Sequence, residues 1–326
     1  EPRADQSMDG SRAGGLHART IEVLDQRGIA ERFLEAGEVM QTQGFAYVRL
    51  DISDFPTRRD HGLALYQSEF EPILADWVAS LGVPTLHGRS VTGFVPDDAG
   101  IDVELADGEV LRAQYLVGCD GGRSTVRKLA GIEFAGLDPS ASWMIAQVEL
   151  DEPEIGIRPE GGGLGPVDRT GTAGPFGVVL KERELEHDGD PSFGDLREAL
   201  VHSYGTDFGA RDPIWISRFT DASRQAVTYR FGRVLLAGDA AHVHPPHGGQ
   251  GLNTGVQDAV NLGWKLAQVV AGTSPESLLD SYAAERHPVG AQVLRNTEAQ
   301  VALTTPDDRH QALRATLGFD HAHIGA

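Results

Sequence analysis

Apolar residues recur along the chain with two periods, and the places where the period changes mark its elements. Ile21 and Leu24, closed by Gly28, predict a short helix, and "IAERFLEAG" predicts a second ending at Gly37. Between Gly44 and Leu65 the alternation in "FAYVRLDI" and "LALY" predicts strands broken by the turn "DFPTRRD". Phe70, Ile73, Leu74, Trp77 and Leu81 share one face of a helix with Ser68 as N-cap and Gly82 as stop. Turns at Asp98–Gly100 and Asp107–Gly108 join three strands. The last of these, "QYLVGCDG", is the continuous apolar run expected of a strand buried on both faces, and it feeds the helix "RSTVRKLA". Residues 143–180 read as β-rich, "GDLREALVHSYG" as a helix, and "PIWISRF" and "QAVTYRFG" as further strands. "GRVLLAGD" is a second buried strand, and it leads through a glycine-rich loop into the long helix "GVQDAVNLGWKLAQVVAG". A capping box at Ser274 and Glu276 opens a last helix that continues around Pro288. Two buried strands, each ending in an Asp-Gly or Gly-Asp pair and feeding a helix, flank a β-rich insertion. The pattern predicts an α/β fold, a doubly wound domain with an inserted β-rich domain.

Composition narrows the class. A chain of 326 residues can bury two cores. A formal charge of −20 disfavours nucleic acid and anionic membranes as partners. The single cysteine, Cys119, excludes an internal disulfide framework. No apolar run approaches a membrane span and no signal peptide opens the chain, so a cytoplasmic protein is expected. The opening "EPRADQSMDGSR" and the closing "LGFDHAHIGA" both interrupt a pattern, which predicts a chain incomplete at both ends.

The densest candidate chemistry lies in "GDAAHVHPPHGGQGLN", residues 238–253. His242, His244 and His247 suggest a metal-dependent hydrolase, but zinc needs three donors in closing geometry, and the Pro245-Pro246 bend and the lack of a partner carboxylate motif argue against a metal. The same stretch also reads as an anion cradle. A strand ends at Asp239, and glycines open a helix whose first N–H groups favour negative charge. "YLVGCDGGRSTVR" reads as a dinucleotide-type crossover through Asp120, or as a helix that Ser124 and Arg127 merely cap and solvate. "EGGGLGP" at 160–166 fails as GxGxxG because Pro166 takes the last glycine position, and it is expected to be a loop. No Ser-centred nucleophile elbow is present.

Four segments together resemble one family. "RVLLAGDAAHVHPPHGGQGLNTGVQDAVNLGWKLA", "YLVGCDGGRSTVRK", "SRAGGLHARTIEVLDQRG" and "LLDSYAAERHPVG" are similar to motifs of the class A FAD-dependent aromatic monooxygenases of the para-hydroxybenzoate hydroxylase fold. Within that family they resemble the bacterial polyketide and antibiotic hydroxylases. The resemblance implies that Asp239 binds the FAD ribityl or pyrophosphate region and that Pro246 and Gly248 lie beside the isoalloxazine. It implies that the N–H groups of Gly251, Leu252 and Asn253 face flavin N1 and O2, where reduction places negative charge. Arg12 would contact FAD, Gln67 would start the helix under it, Asp120 would hold the pyrophosphate side, and Val91 would touch the adenine. His244 and His247 would line the substrate pocket.

The activity implied is hydroxylation of an aromatic polyketide-like substrate through a C4a-hydroperoxyflavin, with NAD(P)H and O2 as co-substrates, in a monomer or homodimer. Some relatives instead perform Baeyer–Villiger insertion. The FAD-binding domain would comprise 1–36, 66–137 and 226–300, the substrate domain 37–65 and 138–225, and the tail 301–326. The family's opening strand with GxGxxG, and the thioredoxin-like third domain of the subgroup, have no counterpart in these residues. These 326 residues alone are therefore expected to bind FAD weakly or not at all, and a flavin-free binding or inactive homologue is the alternative reading.

Overall fold

The computed structural model describes residues 1–8, 10–46, 48–158, 162–167, 174–185, 189–305 and 307–316. Two compact units share the chain. One holds residues 1–45, 49–137 and 223–298, and the other 46–48, 138–222 and the described residues from 299 onward.

In the first unit the strands Leu116–Gly118 and Val234–Leu236 lie side by side and parallel. Val234, Leu235 and Leu236 are buried, as their unbroken apolar run demands. Leu116 and Val117 are only half-buried, because their strand stands at the edge of its three-stranded sheet. The turns at 97–100 and 107–108 build the antiparallel meander Val91–Pro96, Ile101–Leu105 and Val110–Ala113. Ile101, Val103 and Leu105 face a core shared with Tyr229, Leu262 and Tyr282. "QAVTYRFG" is not one strand but two pieces, Ser223–Ala226 and Arg230–Phe231, which join different sheets.

A second core in this unit gathers Leu16, Ile21, Phe33, Leu63 and Phe70 under the helices Ala18–Asp25, Ala30–Ala36 and Gln67–Ser80. The last of these starts after Tyr66 rather than Ser68. The Glu69 carboxylate accepts the Tyr66 N–H at 3.0 Å, and the Ser68 N–H donates to Ser11 Oγ at 2.8 Å. Phe70 is buried and Ile73, Leu74 and Trp77 pack beside it against this core, but Leu81, the C-cap beyond the helix end, is 59% exposed. Of residues 37–65, expected in the inserted domain, 37–45 and 49–65 lie in this unit, where Gly62–Ala64 pairs with both Gly15–Leu16 and Glu38–Met40. The helix Leu278–Thr304 begins without a Ser274 cap, and it is followed by one more, Asp308–Thr316. Ser274 Oγ bonds Gln268 Oε1 at 2.7 Å instead.

The second unit is a five-stranded antiparallel sheet in the order Gly156–Ile157, Gly163–Pro166, Phe176–Lys181, Ser142–Glu149, Arg211–Thr220. Residues along Ser142–Glu149 alternate between buried and half-buried, the period of a sheet covered on one face. The cover is the helix Phe193–Tyr204, which Ser192 and Asp195 cap reciprocally. Gly163–Pro166 is thus a strand and not a loop. A Cβ on Gly163 would stand 1.9 Å from the Gly156 carbonyl oxygen, so glycine is what allows the neighbouring strand to close in. The described residues of the expected tail also belong to this unit, where Arg314 donates to the Leu303 carbonyl at 2.8 Å, and just before them Gln300 Oε1 accepts the Ala46 N–H at 3.1 Å.

Leu200 on the covering helix is fully buried against this sheet. Leu200→Ala is expected to cost about 2–5 kcal/mol through lost burial and the cavity left behind. Urea unfolding followed by circular dichroism checks it. Among the described residues no helix is long and apolar enough to cross a membrane.

Candidate functional site

The site grows from the end of the buried strand Val234–Leu236. A short 3-10 turn, Gly238–Ala240, leads to His242–Val243, which pairs with Arg224 and Gln225. Pro245 and Pro246 then bend the chain into a second turn, His247–Gly249, and the helix Gln250–Val270 begins. Gly248 and Gly249 both have left-handed backbones, with φ of +71° and +61°. Only glycine takes that geometry without strain, and two in succession aim the helix start.

No side chain caps this helix. The N–H groups at the helix start and the positive end of a 21-residue helix dipole therefore suit a negatively charged group. Asn253 uses its side chain for a different task. Buried, its Oδ1 accepts from the His17 N–H and the Thr20 hydroxyl, both at 2.7 Å, and its Nδ2 donates to the Gly249 carbonyl at 2.8 Å. It ties the helix start to the segment 15–20.

The three histidines separate. His242 is buried and its Nε2 meets Asp258 Oδ2 at 2.7 Å. Asp258, fully buried, also accepts from Arg286 Nε at 2.6 Å and from the Gly238 N–H at 3.2 Å. This network clamps the loop to two helices, so His242 is structural. His244 lies beside the helix start. Its Nδ1 is 2.8 Å from the Pro245 carbonyl, while its buried Nε2 has no partner among the described residues. A Cβ on Gly251 would come to 3.6 Å from that Nε2. His247 sits in the turn itself. Burial lowers the pKa of His17, His244 and His247 alike, because an apolar surrounding disfavours the imidazolium. Among the described residues no three His, Cys, Asp or Glu side chains are placed to hold a metal ion.

Asp120 is exposed, but its carboxylate serves the next helix, Thr125–Leu129. It accepts from the Ser124 hydroxyl and from the Val126 N–H, the latter at 3.0 Å. Ser124 is the N-cap and accepts the Arg127 N–H at 2.9 Å. Arg127 does not solvate the surface. It is buried, donates 2.8 Å bonds to the carbonyls of Gly122 and Ala240, and stacks on Phe134. The two Asp-Gly loops are thereby joined, so closely that a Cβ on Gly122 would lie 2.8 Å from Val243 Cγ1.

Asp239 is exposed at the mouth of this junction. Arg12 is exposed in the segment before Gly15, and Gln67 is tied to that segment by its N–H bond to the Ala13 carbonyl at 2.9 Å. The Gln67 amide donates to Glu71 Oε1 at 2.7 Å. Val91 pairs with Leu105 on the meander, whose first strand packs on helix Thr125–Leu129. The structure therefore gathers Asp239, Pro246, Gly248, Gly251, Leu252 and Asn253 around one helix start and joins Asp120 to them through Arg127. It places Arg12, Gln67 and Val91 on adjoining segments of the same unit.

Sequence reasoning missed Asp258, Arg286 and His17. Asp258 carried a signal, since it lies one turn after Thr254 and one before Leu262 on the buried stripe of its helix. A charge there calls for a partner. His17 and Arg286 carried none.

The donor set fits a flavin, with uncapped N–H groups and an unpartnered buried imidazole nitrogen facing one glycine-lined helix start. The sequence model of the FAD binding domain family matches residues 2–297, and the chain belongs to that family. Among its relatives, the rifampicin monooxygenase of Streptomyces venezuelae is 46% identical, over 93% of this chain and 66% of its own length. The 12-dehydrotetracycline 5-monooxygenase/anhydrotetracycline 6-monooxygenase of Streptomyces rimosus is 43% identical, over 96% of this chain and 66% of its own. The solved anhydrotetracycline hydroxylase OxyS of Streptomyces rimosus superposes with a TM-score of 0.89 at 42% identity, over 97% of this chain and 66% of that one. The chain thus spans slightly less than two thirds of the length of these relatives.

Proposed function

We propose that this protein is an FAD-dependent monooxygenase that uses NAD(P)H and O2 to hydroxylate an aromatic, polyketide-like small molecule. The observation that carries this reading is the uncapped start of helix Gln250–Val270, reached through two left-handed glycines, in a chain of the FAD binding domain family. Bound FAD supplies the two-electron chemistry and the activation of O2 that no amino-acid side chain provides.

The residues supply position and electrostatics. The N–H groups of Gly251, Leu252 and Asn253 stabilise negative charge at flavin N1 and O2 without a cation or a moving proton. Pro246 offers the ring a rigid apolar face, and Gly248 a backbone approach with no side chain. Asp239, Arg12 and Gln67 serve the ribityl and phosphate groups, Asp120 the pyrophosphate side, and Val91 the adenine. His244 and His247, kept neutral by burial, offer ring nitrogens to a substrate hydroxyl or carbonyl without adding charge beside the flavin.

The test is NAD(P)H oxidation by the purified chain with FAD in excess. Anhydrotetracycline or rifampicin, the compounds named in its relatives, serve as probes. An aromatic polyketide is expected to accelerate oxidation and to leave as a product heavier by one oxygen atom. Oxidation at one rate with and without every aromatic probe, and no oxygenated product, would overturn the reading.

A further inference from the structure

We propose that His17 is a positioning residue that locks the Gly248–Gly249 turn and so holds the helix start in its flavin-receiving geometry. The inference rests on the reading of that helix start as the seat of the flavin ring.

His17 caps the helix Ala18–Asp25 with its carbonyl, which accepts the N–H groups of Thr20 at 2.9 Å and Ile21 at 3.1 Å. Its own N–H donates to Asn253 Oδ1 at 2.7 Å. Three backbone bonds leave the ring little freedom, and its Nε2 lies 3.0 Å from the Gly248 carbonyl oxygen. A carbonyl oxygen only accepts, so the proton of the neutral ring is on Nε2. On the other side of the same peptide the Gly249 N–H donates to the Pro246 carbonyl at 3.2 Å. The peptide between the two left-handed glycines is thus gripped through both its oxygen and its nitrogen.

The grip matters because of what it restrains. Glycine visits both hands of backbone space at little cost, so a Gly-Gly peptide turns over easily when nothing holds it. Turning it here would swing the first-turn N–H groups of Gln250 and Gly251 away from their common target. Electrostatic stabilisation of a developing charge depends on donors that are aimed beforehand. Burial of His17 serves the same end, since a neutral ring contributes a donor without a second positive charge to bias the flavin.

The experiment compares wild type, His17→Leu and His17→Gln in the whole chain with FAD in excess. One readout is amide hydrogen exchange at residues 249–253, with and without flavin. The other is the ratio of affinities for reduced and oxidised flavin, obtained as a midpoint potential. His17→Leu is expected to speed exchange about tenfold in both states and to lower the affinity ratio about tenfold, a shift of roughly 30 mV for a two-electron couple. His17→Gln, which keeps an N–H donor at similar reach, is expected to recover most of both. Wild-type exchange and potential in His17→Leu, or failure of His17→Gln to recover either, would overturn the positioning role. A wild type that takes up no flavin at any concentration would overturn the functional reading, and this one with it.

Discussion

Asp258→Ala is expected to destabilise the first unit by about 3–5 kcal/mol, the cost of removing one partner from a buried ion pair. The carboxylate is fully buried and holds Arg286, His242 and the Gly238 N–H together. Without it a buried guanidinium keeps its charge and loses its acceptor, and the backbone N–H at the end of the motif strand is left unsatisfied. Against the roughly 5–15 kcal/mol stability of a typical domain, that loss leaves a substantial unfolded fraction.

The pairing makes a sharper forecast. Asp258→Ala combined with Arg286→Met should be more stable than Asp258→Ala alone, because the second change removes the stranded charge. Urea unfolding of wild type, both single variants and the double variant measures the coupling. A single Asp258→Ala variant within about 1 kcal/mol of wild type would show that the network is not what holds the loop.

The second large effect falls on binding. In the double variant Gly248→Ala with Gly249→Ala, each alanine meets a left-handed backbone at a cost of about 1–2 kcal/mol. Gly249 is exposed and Gly248 half-buried, so the turn is expected to rewind rather than hold the strain. Global stability then falls by less than the summed strain, and the aimed N–H groups carry the loss. FAD affinity should drop about a hundredfold, the equivalent of about 2.7 kcal/mol. Gly272→Ala is the matched control. Its φ is +68°, just beyond the far end of the same helix, so it carries equal backbone strain at a place that meets no flavin. Flavin fluorescence titration should separate the two, and equal affinity losses would refute the assignment.

The parts of the fold that could be read in advance are those where cause and effect lie within a few residues. The meander was legible because Asp97 turns its carboxylate onto the N–H groups of Ala99 and Gly100, an interaction contained in four residues. The helix Phe193–Tyr204 was legible from its periodicity, and the helix Gln250–Val270 from its apolar stripe. The glycines before that second helix were legible too, since a run of them at a strand-to-helix junction signals close backbone approach before any partner is known. Family resemblance added the flavin, which no local pattern contains.

What stayed hidden depends on closure of the chain over long distances. The clamping role of His242 was hidden because its partner Asp258 is 16 residues away and Arg286 a further 28 beyond that. Arg127 looked like a solvated helix residue until the Ala240 carbonyl, 113 residues on, proved to be its acceptor. Ser68 looked like a cap until Ser11 took its N–H. The described residues from 301 onward looked like part of a tail until Arg314 proved to donate to the carbonyls of Leu303 and Ala46.

The buried strand Val234–Leu236, the glycine-built helix start and the β-rich insertion follow from neighbouring residues, because hydrophobic period and backbone hand are local properties, whereas the half-burial of Leu116 and Val117 at a sheet edge depends on the folded whole. Which polar side chains hold that helix start open, and which hold the fold together, is set by contacts between distant parts of the chain. A buried polar group must be satisfied by whatever the folded chain brings within 3 Å of it, and no local pattern records that.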